Sequence, residues 1–142
     1  MYKQIKDIKE FQKAFECNVQ EQPYIPSKEI STLRISLLLE EVQELVKAKE
    51  DEDIVEITDA IVDIMYIILG TACEYGVIDY LPEAWNLVHR NNMTKVGPDG
   101  KVQRRADGKI MKPENYVKVD LKTIFEPNSY IEPQPTDSAY GC

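Results

Sequence analysis

The sequence predicts an all-α fold, and three observations carry that expectation. Apolar residues recur at steps of three and four through residues 5–88, the period of a helix face. Pro23, Pro26 and Pro82 fall at the boundaries of these stretches, and the Asp-Gly pairs come after them. The run 39–66 sets Glu40, Glu41, Glu44, Glu56, Asp59 and Asp63 at helical spacing, so that each set shares one face of its helix.

A first helix is expected over residues 3–17, with Ile5, Ile8, Phe11 and Phe15 on one face. Phe11 and Phe15 read first as core and second as rings on which a base could stack. Gln22-Pro23-Tyr24-Ile25-Pro26 ends this stretch, because a proline disfavours helix in the residue before it. Ser27 or Ser31 can cap the second helix, which runs to about residue 49. Residues 50–53 are all acidic and put negative charge where the next helix dipole favours it.

The third helix is expected over 53–75, with Gly76 as its stop. Gly70 inside it costs about 1 kcal/mol relative to alanine, which points to a close approach near Gly70-Thr71-Ala72. Beyond Asp63 this helix is apolar almost all round, the pattern of a helix covered on every side. In so short a chain that implies a subunit interface, so a homo-oligomer is expected, with dimer and tetramer both open. Asp79 is the expected cap of a fourth helix, with Pro82 in its first turn and Leu81, Trp85 and Val88 on one face. Two Asp-Gly pairs then bracket residues 101–105, suggesting a small β-hairpin or tight loops near 96–112. One domain is expected over 1–125, followed by an extended tail over 126–142 carrying Pro127, Pro133 and Pro135.

With 142 residues and 43% hydrophobic content, the chain can bury a core. A net charge of −8 disfavours nucleic acid as a partner of the whole surface. Residues 61–73 are too few to cross a bilayer and include Asp63, so no membrane partner is expected. Three cysteines without metal-type spacing, and no apolar signal region in residues 1–7, fit a cytoplasmic protein. Residues 40–63 hold ten acids and two lysines, whereas residues 90–118 hold eight bases and three acids. Charge alone is explained by two solvated faces. The apolar neighbours of the acids, among them Leu38, Val42, Ile61 and Val62, say more: carboxylates crowded in such a setting repel unless a cation compensates them. Mg²⁺ is the natural one, since it takes hard oxygen ligands and bridges carboxylates to phosphates.

Glu41-Val-Gln-Glu44 followed by Glu56-Ile-Thr-Asp59 resembles the acidic signature of the all-α NTP pyrophosphohydrolases, which include MazG, phosphoribosyl-ATP pyrophosphohydrolase and the dimeric dUTPases. The blocks after it, Asn91-Asn92-Met93-Thr94-Lys95, Asp99-Gly-Lys and Asp107-Gly-Lys109 to Lys112, are similar to a bacterial and phage MazG-like branch. One departure is the gap of eleven residues between Glu44 and Glu56, short for the family. The resemblance implies a four-helix bundle completed by oligomerisation, and nucleotide-pool housekeeping by cleavage of a (deoxy)nucleoside triphosphate to monophosphate and pyrophosphate. It implies Mg²⁺, with Mn²⁺ able to substitute, held by Glu41, Glu44, Glu56, Asp59 and Asp63, and a water activated by Glu40 or Glu41. It further implies that Asn92, Lys95, Lys109 and Lys112 take the triphosphate and that Phe11 and Phe15 shape the base pocket. The rival reading is a catalytically inactive helical module for nucleotide binding or dimerisation.

Overall fold

The computed structural model describes residues 1–97, 99–113 and 116–126. Four α-helices carry these residues: α1 (Tyr2–Ala14), α2 (Lys28–Glu50), α3 (Ile54–Glu74) and α4 (Leu81–Met93). No strand occurs among the described residues, so the all-α expectation holds. The chain divides into two compact units, Met1–Pro82 and Glu83–Cys142.

In the first unit, Ile5 and Ile8 of α1 meet Ala72 and Cys73 of α3 and Ile78 of the short 3-10 turn Ile78–Tyr80. Val19, Leu69, Val77 and Leu81 close around this cluster. Helix α1 stops at Ala14, short of residue 17, because Glu16 takes a left-handed φ of 56° and the chain turns there. The connection to α2 then runs along the end of α3: the Gln20 amide donates to Cys73 O at 3.0 Å and the Tyr24 amide to Tyr75 O at 3.1 Å. Gly76, the expected helix stop, has φ +66°, and a Cβ there would lie 2.0 Å from Gln22 O. Only glycine serves both the left-handed turn and this close passage.

Ser27 caps α2, its Oγ accepting from the Ile30 amide at 3.3 Å. Asp53 caps α3, with Oδ1 accepting from Val55 and Glu56 at 2.9 and 3.2 Å. Along the pair, α2 buries only Ala48, and the first half of α3 only Ala60. Their outer faces leave Leu39, Val46, Met65 and Ile68 about half exposed. The helix that reads as apolar all round is therefore uncovered on one side of this chain.

Asp79 does not cap α4 as expected. It lies inside the 3-10 turn and accepts from Lys9 Nζ at 2.6 and 2.7 Å. In the second unit, α4 is followed by turns and one isolated antiparallel bridge between Arg104 and Ile110. Around it the Arg105 amide donates to Lys109 O and the Met111 amide to Gln103 O, both at 2.8 Å. A 3-10 segment, Leu121–Phe125, buries Ile124. Apart from Glu126, the expected tail over 126–142 lies outside the described residues. No single helix among the described residues is long and apolar enough to cross a membrane.

Candidate active site

Helices α2 and α3 are joined by a three-residue turn, so they run antiparallel, and a cross-brace sets their register. Arg34 donates from Nε to Thr71 Oγ1 at 3.0 Å and from Nη2 to Ile67 O at 2.7 Å. Gly70 makes room for it: a Cβ there would come within 2.8 Å of Arg34 Nη2 and 3.4 Å of Gln12 Nε2. The close approach expected at Gly70 is thus made by two side chains. Seven residues, two turns, separate Arg34 from Glu41, so both share one face of α2. Every step along α2 is a step back along α3, which brings Glu41 level with Asp63 and Glu44 level with Asp59.

The electrostatics agree with that register. Glu41 is half-buried, and its carboxyl is held above the usual carboxylate range, first by loss of water and then by the charges of Glu44, Asp63, Glu40 and Asp59. Two of those neighbours stand on α2 and two on α3. Glu56 stands one turn N-terminal of Asp59 on α3. It lines an open depression on α3 with Ile54, Val55, Thr58, Asp59 and Val62. Glu40, Glu44, Glu56 and Asp59 are exposed, and Asp63 is half-buried. Among the described residues, no three acidic, histidine or cysteine side chains are gathered closely enough to hold a metal ion as they stand. The helices bring the acids to one seam; the side chains are not closed on a centre.

Phe11 and Phe15 are not core. Phe15 is 65% exposed and Phe11 38%; the two rings stack at 4.4 Å, and Phe11 meets Tyr66 edge-on at 5.4 Å. Between them on α1, Gln12 is buried and donates to Gly70 O at 3.4 Å. The sequence gives no cue to Tyr66 or Arg34 here, since their partners are set by helix register.

The four remaining expected site residues belong to the second unit. Lys95 donates from Nζ to Asn92 Oδ1 at 2.7 Å and also lies 5.9 Å from the centre of the Tyr116 ring. Lys112 lies 4.8 Å from the same ring. Lys109 is exposed, and its backbone amide donates to Asp107 Oδ1 at 3.1 Å. Tyr116 and its anchor Asn91 were not site candidates on sequence grounds. Nothing in the spacing ties residue 116 to residues 91–95.

An α-helical pair with acids from both rods along one seam defines the class: an all-α protein with an acidic inter-helix face. The family model for phosphoribosyl-ATP pyrophosphohydrolase matches residues 8–92, and the chain belongs to that family. The match spans α2 and α3 with Glu40, Glu41, Glu44, Glu56, Asp59 and Asp63, and membership places the chain among the pyrophosphohydrolases, hydrolases of phosphoric anhydride bonds. No curated protein matches the chain.

Proposed function

We propose that the chain converts a nucleoside or deoxynucleoside triphosphate to the monophosphate and pyrophosphate, with Mg²⁺, as part of nucleotide-pool housekeeping. The observation that carries this is the position of Glu41: a partly buried residue whose carboxyl has four acids bearing on it, from two facing helices. Such a face is unfavourable by itself and is relieved by a hard dication. The donor set fits, being all carboxylate oxygens, with side-chain rotation needed to bring Glu44, Asp59, Asp63 and Glu56 onto one ion. Bound Mg²⁺ supplies positive charge against the phosphate oxygens. Glu41, on which acids of both helices bear, is the proposed acceptor of the attacking water's proton, with Glu40 the alternative. The water oxygen forms a bond to the α-phosphorus, the bond from that phosphorus to the α–β bridging oxygen breaks, and pyrophosphate leaves.

The active form is proposed to be an oligomer of this chain. Leu39 and Val46 on α2 and Met65 and Ile68 on α3 are 54, 51, 49 and 47% exposed. Apolar faces of this extent on two long helices mark a contact surface, and a second copy offers the same faces in return.

The test is pyrophosphate release across the common NTPs and dNTPs, with and without Mg²⁺. Glu41→Gln and Asp59→Asn are expected to lower the rate by on the order of a hundredfold or more while the helical circular dichroism stays unchanged. Pyrophosphate absent for every nucleotide, with nucleotide still bound, would instead support a binding module.

A further inference from the structure

We propose that Arg34 is a positioning residue for the acidic seam: it fixes the lengthwise register of α2 on α3, and so decides which acids face each other across the two helices. The proposal rests on the metal-dependent reading above, since the acids it aligns are the ones read there as ligands.

The contact line on α2 repeats every seven residues. Arg34 and Glu41, both half-buried, and Ala48, buried, all lie on it. Leu37, Leu38 and Leu45, also half-buried, complete that face, and on α3 Ala60 and Ile67 repeat the interval. Apolar contact at this period is non-directional and leaves neighbouring registers close in energy; a polar residue in the stripe singles one out. Arg34 is placed to do so, because its bonds to α3 close a ring. Nε donates to Thr71 Oγ1 at 3.0 Å, Nη2 donates to Ile67 O at 2.7 Å, and the Thr71 hydroxyl gives its own proton to Ile67 O at 2.7 Å. With that proton committed, Thr71 Oγ1 meets Arg34 as an acceptor. The two acceptors stand one turn apart on α3, and a rigid guanidinium fork spans both at once. Gly70, between them, leaves the space, and Gln12 of α1 donates to Gly70 O from its own side at 3.4 Å. Among the described residues Arg34 makes no ion pair, so these bonds, and not charge pairing, hold the guanidinium.

A slip of one residue moves a helix by about 1.5 Å along its axis and turns its side chains by about 100°. Mg²⁺ accepts oxygens in near-octahedral geometry at about 2.0–2.1 Å, so a slip of that size takes ligands out of reach. Charge and register act on metal binding with opposite sign. Glu41 lies two turns from Arg34, about 10 Å along the helix. Removing a positive charge at that distance would by electrostatics alone tighten cation binding, whereas losing the register loosens it.

The experiment titrates the full chain with Mn²⁺ by calorimetry, without nucleotide, and records the melting temperature beside it. Gly70→Ala is the central variant. Its Cβ would lie 2.8 Å from Nη2 and push the fork off Ile67 O, while alanine favours the helix more than glycine does. Its melting temperature should stay within about 5 °C of the wild type, and its Mn²⁺ affinity should fall about tenfold. A merely structural brace would move the first and leave the second. Arg34→Lys keeps the charge, loses the fork and should weaken binding by a similar factor. Thr71→Val should do likewise, and Thr71→Ser, which keeps the hydroxyl, should recover the wild-type affinity. Mn²⁺ affinity unchanged or raised in folded Gly70→Ala or Arg34→Lys overturns the proposal, as does a wild type that binds no Mn²⁺. Pyrophosphate release from the same samples keeps the two readings apart. Turnover in the wild type with Mn²⁺ affinity unchanged in the variants leaves the hydrolase and removes the positioning role. Affinities that fall as expected, in a chain that releases pyrophosphate from no nucleotide, do the reverse.

Discussion

Two residues show how single positions hold this protein together or set it against itself. Glu41 is kept above its usual range by dehydration and by four acidic neighbours. A carboxyl whose folded pKa is raised binds more protons folded than unfolded, so it withdraws stability as pH rises above its unfolded value. In EDTA, the melting temperature of the wild type relative to Glu41→Gln should therefore fall as pH rises above the ordinary carboxylate range, from about pH 4 upward. Mg²⁺ should restore stability at the upper end; scanning fluorimetry across pH reads both. Gly76 works in the opposite sense. Its φ of +66° and the 2.0 Å gap to Gln22 O leave no room for a side chain. Gly76→Ala should cost at least about 2 kcal/mol, combining left-handed strain with a backbone displacement. Urea denaturation should show a lower midpoint at unchanged slope.

At the scale of the helices, the sequence is a good guide to α2 and α3 and a poorer one to what joins them. Ser27 and Gly76 are local signals, and both do what their chemistry suggests. The acids are legible because three- and four-residue spacing is itself the geometry of a helix face. The end of α1 is not, since Glu16 turns left-handed without glycine's freedom. Asp79 has the look of a cap, yet Lys9, seventy residues away in sequence, claims its carboxylate. Arg34 and Tyr116 escape notice for the same reason: their partners lie 33 to 37 and 25 residues away, beyond any local pattern. Phe11 and Phe15 fit the spacing of a core face, but the core takes Ile5 and Ile8 and leaves the two rings paired near the surface.

For the whole molecule, the unusual quantity is uncovered apolar surface on α2 and α3. An assembly of copies would cover it, and the expected mass by light scattering is a multiple of 16.3 kDa. A charge placed in that face should separate the copies: Ile68→Glu, at a position 47% exposed in one chain, leaves the Ile5–Ile78 core untouched. Its elution should shift to the monomer and become independent of concentration, and wild-type behaviour of this variant would move the contact elsewhere.

Ala48 and Ala60, the buried alanines of α2 and of the first half of α3, have a consequence for selectivity between ions. Methyl groups let the rods lie close, so on the proposed reading they act as a calliper whose jaws carry the acids. Magnesium accepts oxygens at about 2.0–2.1 Å and calcium at about 2.3–2.6 Å. Ala60→Val, next to Asp59, should open the jaws slightly and tilt the ratio of calcium to magnesium affinity upward. An unaltered ratio in a folded variant would mean that something other than methyl size sets the gap.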